Sequence, residues 1–434
     1  MRALFVSWPW RTHFQPLVPL AWALQAAGHE VQVASGPELA DVMTSSGLTS
    51  VVVGTEERVL EGLAERFTEE QVAMVRTLEE LGPRDDLLFD FAETREEELT
   101  WDRLRLLTRY LTEIHKGMNE ALVEELVEYC QWWKPDLVVW DWLSQAGSIA
   151  AAAVGAASAR VRSEIDWDAR FRRNFVRVRA QQPPEGREDA LADWLGGWAQ
   201  KYGGSFSEEM VTGDFTIDHM LDSMRLETQV PHVPVRYVSY HGPSVVSHWT
   251  RRDPAKRRVL ATFGVSQNRG REYQAATVQQ LQDMLDSLAD LDIELIVTLP
   301  RSIQADLKRI PGNTTLVEFV PLHVIIPSCS AVIHHGGIPG FMEAIEHHVP
   351  QLLVGRIPGD IEERAPLLEE ARAGLHLPPR QLRGERVREC LVRLLEDPEF
   401  KEGTGRLRKE LAGRPTPSEV IRDLEILTDR YRRR

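Results

Sequence analysis

Strand-like and helix-like segments alternate at the start of this chain, and that alternation limits the folds open to it more than any other feature. Residues 2–7 form a short apolar run, residues 17–24 place leucine and alanine at helical spacing, and residues 30–34 alternate apolar and polar side chains. Gly28 supplies a left-handed stop for the helix. The resulting βαβ unit predicts a parallel sheet with ligands at the carboxyl ends of its strands, so we expect a site in the 7–15 loop.

The same alternation returns in the second half of the chain, which has 434 residues and is too long for one compact core. We therefore predict an α/β protein of two doubly wound, Rossmann-like domains. Expected strands lie at 134–142, 259–264, 294–299, 316–320, 331–335 and 351–355, the Ala-rich run 146–157 holds a helix and a strand, and further helices lie at 273–288 and 418–431. The predicted divisions are 1–225, a linker at 226–252, 253–415, and a C-terminal helix in 416–434.

An excess of acidic residues narrows the classes of partner. The chain has 51 Lys and Arg against 66 Asp and Glu, a formal net charge of −15. Such a chain repels phosphate polyanions and anionic lipid, so we expect neither a nucleic acid nor a membrane as a partner. The N-terminus MRALFVSWPW reaches prolines and charges before an apolar run could serve as a signal peptide, which predicts a cytoplasmic protein.

In AVIHHGGIPGFMEA, residues 331–344, a glycine-rich turn stands between an expected strand and an expected helix that opens at Gly340. Backbone amides and a helix N-terminus at such a turn bind anions, which favours a diphosphate, although a tight turn around a packed histidine is an equally common use. A metal site built from His334, His335, His347 and His348 is disfavoured because adjacent histidines point apart.

His13 is the candidate catalytic base because it follows the first strand and because imidazole suits proton abstraction near neutral pH. Asp141, at the end of the strand in 134–142, is its candidate carboxylate partner. A helix-capping or surface role for His13 remains open on the sequence alone. The strings Asp166–Asp168 and Asp290–Asp292 match a metal-bound nucleotide-sugar motif, but the pattern is short and common by chance, so we predict no metal site.

Four segments together resemble the actinomycete antibiotic glycosyltransferases that act on macrolides and related polyketides, and are most similar to the desosaminyltransferase type. The segments are RTHFQPLVPLAWALQAAGHEVQVAS at 11–35, VRYVSYHGPSVVSHW at 235–249, VLATFGVSQNRG at 259–270 and FVPLHVIIPSCSAVIHHGG at 319–337. The resemblance runs from residue 1 to about 425. It implies a GT-B fold of two facing domains with a C-terminal helix crossing back, a thymidine diphosphate (TDP) deoxysugar donor, and inversion at the anomeric carbon without a metal or other cofactor.

The resemblance also assigns residues. It implies that His13 is the catalytic base, that Asp141 is its partner, that His335 contacts the donor diphosphate and that Phe319 stacks on the nucleobase. The full set of expected donor-binding residues is Thr262, Ser266, Phe319, Val320, His335, Gly336, Gly337, Gly340, Glu343 and Asp360. The expected acceptor-binding residues, all in the N-terminal domain, are Trp8, Phe14, Trp142 and Phe171.

The chain departs from the family pattern at two places. The family usually continues the diphosphate turn as Gly-Gly-Ala-Gly-Thr, whereas this chain has Ile338, Pro339 and Gly340, which removes an amide hydrogen and a hydroxyl. The acid and following polar residue that normally meet the sugar hydroxyls appear here as Asp360 and Ile361. A sugar with few hydroxyls tolerates the second change.

We therefore expect an inverting glycosyltransferase that moves a deoxysugar, with an aminodeoxysugar as the preferred kind, to a hydroxyl of a polyketide-derived aglycone. Two alternatives stay open: a degenerate nucleotide-sugar-binding protein without turnover, and a nucleotide-sugar epimerase of the same fold. Residues 167–179 form an amphipathic, arginine-rich helix, which fits a wall of the acceptor pocket. The resemblance further implies an activator built like a haem-less cytochrome monooxygenase, and this basic helix is a candidate for docking it.

Overall fold

The computed structural model describes residues 1–54, 69, 73–74, 76–77, 91, 93, 95–264, 276–355 and 360–433. The candidate donor residue Ser266 lies outside these ranges. The chain divides into two compact units. The first unit comprises 1–220, 225–242 and 415–434, and the second comprises 221–224 and 243–414.

A parallel sheet forms the centre of the first unit. Its strands run in the order β3-β2-β1-β4-β5-β6-β7. They are β1 Arg2–Val6, β2 Glu30–Ser35, β3 Thr49–Val52, β4 Leu137–Asp141, β5 Ala157–Arg162, β6 Phe215–Asp218 and β7 His232–Pro234. The helices of this unit are α1 Arg11–Phe14, α2 Val18–Ala26, α3 Ala40–Ser45, α4 Trp101–Trp133, α5 Gln145–Val154, α6 Trp167–Ala180, α7 Ala190–Lys201, α8 Glu209–Thr212 and, from the end of the chain, α16 Ile421–Tyr431.

Helices cover both faces of this sheet, because the strands are apolar at successive positions and not only at alternate ones. Ala3 and Phe5 of β1 belong to one core cluster, which includes α2 and the C-terminal helix α16. Leu4 and Val6 belong to the other cluster, which includes α4 and α5. The expected return of the C-terminal helix to the first unit is therefore confirmed.

The second unit is built in the same way around a parallel sheet with the order β10-β9-β8-β11-β12-β13. Its strands are β8 Arg257–Thr262, β9 Ile293–Thr298, β10 Thr314–Val317, β11 Cys329–His334, β12 Gln351–Leu353 and β13 Gly374–His376. Its helices are α9 Val278–Ser287, α10 Arg301–Asp306, α11 Leu322–Ile325, α12 Ile338–Glu346, α13 Ile361–Glu370, α14 Gly384–Glu396 and α15 Pro398–Gly413. The predicted fold class, two doubly wound α/β units, is confirmed.

The strand order reverses once in each sheet, and each reversal marks a crevice at the carboxyl ends of the strands. In the first unit it falls between β1 and β4, and in the second between β8 and β11. Asp141 is the last residue of β4, His13 lies in the helix that follows β1, and the glycine-rich turn follows β11. The topology alone therefore assigns one candidate site to each unit.

Three local predictions need correction. The segment 226–252, predicted as a linker, contains β7, which pairs in parallel with β6 and extends the first sheet. His13 was expected in a loop but lies in the short helix α1, because residues 11–17 continue helical turns into α2. Helix α12 begins at Ile338 rather than Gly340 and accommodates Pro339 in its first turn, where a missing amide hydrogen is tolerated. Among the described residues, no helix is both long and apolar enough to cross a membrane.

Candidate active site

The pair His13–Asp141 forms at the crevice of the first unit. Asp141 is the last residue of β4, and β4 lies beside β1, whose following loop leads into α1. The Nδ1 atom of His13 lies 3.0 Å from Oδ1 of Asp141. Since Asp141 is a hydrogen-bond acceptor, Nδ1 carries the proton and donates it, which leaves Nε2 as the basic nitrogen.

The electrostatic surroundings of His13 favour its protonated form. Burial lowers the pKa of His13, but the charge and the hydrogen bond of Asp141, together with the charge of Glu164, outweigh burial, so the pKa is raised above its ordinary value. Arg162 acts in the opposite direction. The side chain of His13 is 18% exposed and that of Asp141 is 6% exposed, so the imidazole is reachable while its partner is shielded. This combination suits a general base.

Aromatic rings surround the imidazole. The edge of Trp8 meets His13 at a centroid distance of 5.2 Å, and Trp142 lies 6.4 Å from His13 on a tilted plane. Trp10 stacks on Trp8 at 5.4 Å, and Trp167 meets Trp142 edge-on at 5.4 Å. The base therefore lies in an apolar setting suited to a hydrophobic acceptor.

The other two expected acceptor residues, Phe14 and Phe171, are buried side chains. Phe171 is buried and meets Phe91 edge-on at 5.8 Å, and Phe91 in turn stacks on Trp167 at 4.7 Å. Phe14 is fully buried in the apolar core cluster beneath the sheet. Phe14 therefore packs in the interior, because its position on α1 turns it away from the face that carries His13. Trp8, Trp142 and Phe171 stay predicted acceptor residues.

Buried arginines bind the aspartates of the 166–168 string. Arg160 and Arg162 are both fully buried on β5. Arg160 bonds Asp168 at 2.5 Å and Asp166 at 2.6 Å, and Arg162 lies 3.3 Å from Asp168. Burial raises the pKa of Asp168, but the two arginines outweigh burial and hold it below its usual range. The guanidinium of Arg162 also lies 4.5 Å above the ring of Trp142. The aspartates of this string therefore hold Arg162 against the aromatic wall beside His13, which consists of Trp8, Trp10, Trp142 and Trp167.

The glycine-rich turn of the second unit is fixed by His334, the last residue of β11. The Nε2 atom of His334 lies 2.8 Å from Oε1 of Gln351, and its Nδ1 atom accepts a hydrogen bond from the amide of Gly336 at 3.2 Å. Burial lowers the pKa of His334 to about 3, so the ring is neutral and Nδ1 is free to accept that bond. Gly336 has φ +90°, a conformation that favours glycine.

His335 lies next to this turn with its ring packed between two glycines. A Cβ atom at Gly264 or at Gly337 would approach the ring within 2.5 to 2.6 Å, so both positions require glycine. Burial lowers the pKa of His335 to about 4, against a hydrogen bond to the backbone of Thr262. The Nδ1 atom of His335 is buried with no hydrogen-bond partner among the described residues. A neutral imidazole carries a single N–H, so donation from Nδ1 of His335 to a phosphate requires a second proton on the ring or release of the Thr262 contact, and the negative charge of a diphosphate favours the protonated ring.

The other histidines of the hypothetical metal site bind protein groups. His347 pairs with the buried Glu343 at 3.0 Å, and Nε2 of His348 lies 2.7 Å from the carbonyl oxygen of Lys401. In the string Asp290–Asp292, Arg388 binds Asp290 and Lys256 binds Asp292 at 2.8 Å. In the described part of the chain, these histidines and aspartates therefore already bind other protein groups.

The remaining donor candidates cluster around the carboxyl ends of the second sheet. Phe319 follows β10 and is 51% exposed, as a ring that stacks on a base should be, while Val320 beside it is buried. Thr262, at the end of β8, accepts a hydrogen bond from Thr298 at 2.8 Å. Gly340 lies in α12 against the ring of His334. These four residues and Glu343 stay predicted donor contacts.

Asp360 precedes α13 and is 2% exposed. Its two carboxylate oxygens accept hydrogen bonds from Nη2 and Nε of Arg364, at 2.5 and 3.2 Å. The carboxylate therefore already has a buried partner, and a role in binding the sugar stays a prediction.

Sequence reasoning missed Arg162, Arg364 and Gln351. Two arginines at alternate positions of the strand-like segment ASARVR were a detectable signal, because buried charge in a strand requires partners such as the nearby aspartates. Gln351 and Arg364 gave no such signal, because both act through the three-dimensional packing of the second sheet.

Two doubly wound units with a histidine–aspartate pair in the first and a glycine-rich anion turn in the second define a GT-B glycosyltransferase. Comparisons with known proteins agree. Residues 22–264 match the N-terminal domain of the family described as erythromycin biosynthesis protein CIII-like, and residues 282–427 match its C-terminal domain. The chain belongs to this family.

Individual relatives and solved structures indicate the activity of the chain within this family. It is 42% identical to 10-deoxymethynolide desosaminyltransferase of Streptomyces venezuelae, over 100% of this chain and 98% of that protein. It is 38% identical to aclacinomycin-T 2-deoxy-L-fucose transferase of Streptomyces galilaeus, over 100% and 97%. The structure of glycosyltransferase VinC in complex with dTDP has a TM-score of 0.86 at 33% identity, covering 99% of this chain and 100% of that one. The chain is therefore a TDP-sugar-dependent glycosyltransferase of antibiotic biosynthesis.

Proposed function

We propose that this enzyme transfers a deoxysugar from TDP to a hydroxyl of a polyketide-derived aglycone, with inversion at the anomeric carbon and without a metal ion or other cofactor. The observation that carries the proposal is the His13–Asp141 hydrogen bond of 3.0 Å beside the rings of Trp8 and Trp142. A shielded carboxylate that orients an accessible imidazole among aromatic rings is suited to activating a hydroxyl on an apolar substrate.

In the proposed reaction, Nε2 of His13 accepts the proton of the acceptor hydroxyl while that oxygen forms a bond to the anomeric carbon. Asp141 holds Nδ1–H and stabilises the imidazolium that forms. The bond from the anomeric carbon to the diphosphate oxygen breaks, and TDP leaves with its electron pair. The second unit stabilises this developing negative charge through His335 and the amides at the start of α12.

The activities of the relatives support the sugar class. One relative transfers desosamine and another 2-deoxy-L-fucose, and daunosamine and mycarose appear among the sugars of further relatives at 38% and 36% identity. An aminodeoxysugar is the preferred donor on this comparison, because the desosaminyltransferase shares 42% identity over the full chain.

A transfer assay tests the proposal. The purified chain is incubated with a TDP-deoxysugar and a macrolactone or anthracyclinone. Products are separated by liquid chromatography and identified by mass spectrometry, and NMR gives the configuration of the sugars. A glycoside with inverted anomeric configuration, formed together with TDP, is the expected result. An isomerised donor without glycoside would favour an epimerase, and donor binding without any product would favour the degenerate binding protein.

We further propose that an activator protein, built like a haem-less cytochrome monooxygenase, docks on α6. In support, α6 presents Arg173 to solvent, and Arg177, which pairs with Glu96 at 2.9 Å, is 41% exposed. Arg172, by contrast, is buried and bonded to Asp189 and Glu208, so it stabilises the fold of the unit.

Addition of the activator should raise turnover severalfold, and Arg173→Glu should reduce that gain. Full activity of the isolated chain, unchanged by the activator, would remove the partner.

A further inference from the structure

Arg364 on α13 is a fully buried arginine that touches the glycine-rich turn directly. Its Nη2 atom donates to the carbonyl oxygen of Gly336 at 2.5 Å and to Asp360 at 2.5 Å. Its guanidinium lies 4.2 Å from the ring centre of Phe341 on α12. Its Nη1 atom is buried with no hydrogen-bond partner in the described part of the chain. A buried guanidinium is costly, so its arrangement around this one loop requires an explanation.

Gly336 is held from both sides by these contacts. Its amide donates to Nδ1 of His334 at 3.2 Å, and its carbonyl accepts from Arg364. The side chain of Ile361 closes the remaining side, because a Cβ atom on Gly336 would lie 2.3 Å from Cδ1 of Ile361. The orientation of the peptide that joins Gly336 to Gly337 is therefore determined by side chains and does not depend on the loop backbone alone.

The orientation of this peptide decides where the next amide points. No described peptide bond is cis, and in a trans peptide the carbonyl and the following N–H point in opposite directions. Because Arg364 draws the Gly336 carbonyl into the interior, the N–H of Gly337 points outward, away from Arg364. Gly337 is the residue immediately before α12, so its amide joins the other free N–H groups of the helix N-terminus.

The need for this amide follows from the sequence of α12. Pro339 has no amide hydrogen, and Gly340 has no hydroxyl to offer a phosphate. We propose that the Asp360–Arg364 pair positions the Gly336–Gly337 peptide so that the Gly337 amide binds the leaving diphosphate, which makes up for a donor lost at Pro339. In this role Asp360 acts on the turn through Arg364. The inference rests on the proposed function, in that it takes TDP as the ligand of this turn.

The test compares affinities for TDP and for thymidine, which lacks the diphosphate. The double variant Arg364→Met with Asp360→Asn avoids leaving a buried charge without its partner. We expect its TDP affinity to fall about 10-fold or more, the scale of one hydrogen bond to a charged group, with thymidine affinity unchanged. Calorimetry gives the TDP affinity, and competition against bound TDP gives that of thymidine.

A matched control is available in the same unit. Arg258 is 2% exposed and pairs with Glu294 at 2.9 Å at the amino end of β8, the end opposite the turn. The variant Arg258→Met with Glu294→Gln should lower the melting temperature and leave both affinities unchanged. If the Arg364 double variant does not fold, the variant Arg364→Lys provides the test. Its ammonium group can replace only part of the three hydrogen bonds that the guanidinium makes. This variant should therefore lose TDP affinity and keep its affinity for thymidine.

Three outcomes are distinguishable. A selective loss of TDP affinity supports the positioning role. An equal loss of TDP and thymidine affinity, or no loss, overturns it. If the unmodified chain itself does not bind TDP, the proposed function fails, independently of Arg364.

Discussion

The substitution Asp141→Asn tests the proposed base most sharply, because it changes one charge and almost no volume. The Asp141 carboxylate is nearly inaccessible and accepts the Nδ1–H bond of His13 at 3.0 Å. A hydrogen bond to a charged group contributes about 1.5 to 3 kcal/mol. If that stabilisation acts on the imidazolium formed in the transition state, turnover should fall about 10- to 150-fold.

The pH dependence gives a second readout with a definite sign. A base must be unprotonated, so kcat/KM rises with pH through the pKa of His13 in the free enzyme. That pKa is raised because Asp141 and Glu164 outweigh burial. Without the Asp141 charge, the effect of burial lowers the pKa of His13. The rising limb of the profile should therefore move to lower pH, and the plateau should fall. A merely structural role for Asp141 would not move the limb in this direction.

The matched control is Asp136→Asn at the opposite end of the first sheet. Asp136 precedes β4 and pairs with Arg432 at 2.7 Å, so its loss affects stability without reaching His13. Initial rates are measured between pH 5 and 9 for both variants, at saturating donor and at acceptor concentrations below and above KM, so that kcat/KM is obtained at each pH. Comparison with the melting temperatures separates an effect on the base from an effect on stability. A limb that stays in place or moves to higher pH in Asp141→Asn would refute the argument.

Three further results are expected. His13→Ala should lower turnover about 100-fold or more and leave TDP affinity unchanged, because the base touches the acceptor only; unchanged turnover in steady-state assays would refute its role. Phe319→Ala should weaken TDP binding by about 1 to 3 kcal/mol in calorimetry through loss of a stacking face. If TDP bound equally well, the base pocket would lie elsewhere. A chelator should leave the rate unchanged, and inactivation that added metal reverses would restore the metal hypothesis for the aspartate strings.

The fold was predictable because the spacing of apolar residues and the positions of turn residues determine most of its strands and helices. The βαβ unit at the N-terminus and the apolar segments of the second half correspond to strands of the two sheets. The boundaries were less predictable. β7 was assigned to a linker because three residues bounded by prolines carry little periodicity, and their pairing with β6 is a tertiary contact.

The candidate site was predictable only where a residue lies at the carboxyl end of a strand or shortly after it. His13 and Asp141 fall at the point where the strand order of the first sheet reverses, and His335 falls at the equivalent point of the second. Phe14 could not be assigned in this way, because which face of a four-residue helix is buried depends on the packing beneath it. The same holds for Arg364, whose contacts come from a helix that begins well after the turn it supports.

The aspartate string at 166–168 shows how one sequence pattern can have two physical uses. A metal ion would neutralise its carboxylates, and in this fold Arg160 and Arg162 do so instead. Buried arginines need such partners, because an unpaired guanidinium in the interior is strongly unfavourable. Since Arg162 also lies against the ring of Trp142, the ion pairs extend to the aromatic wall beside His13. The position of Trp142 therefore depends on Asp166 and Asp168, although neither aspartate needs to contact a substrate.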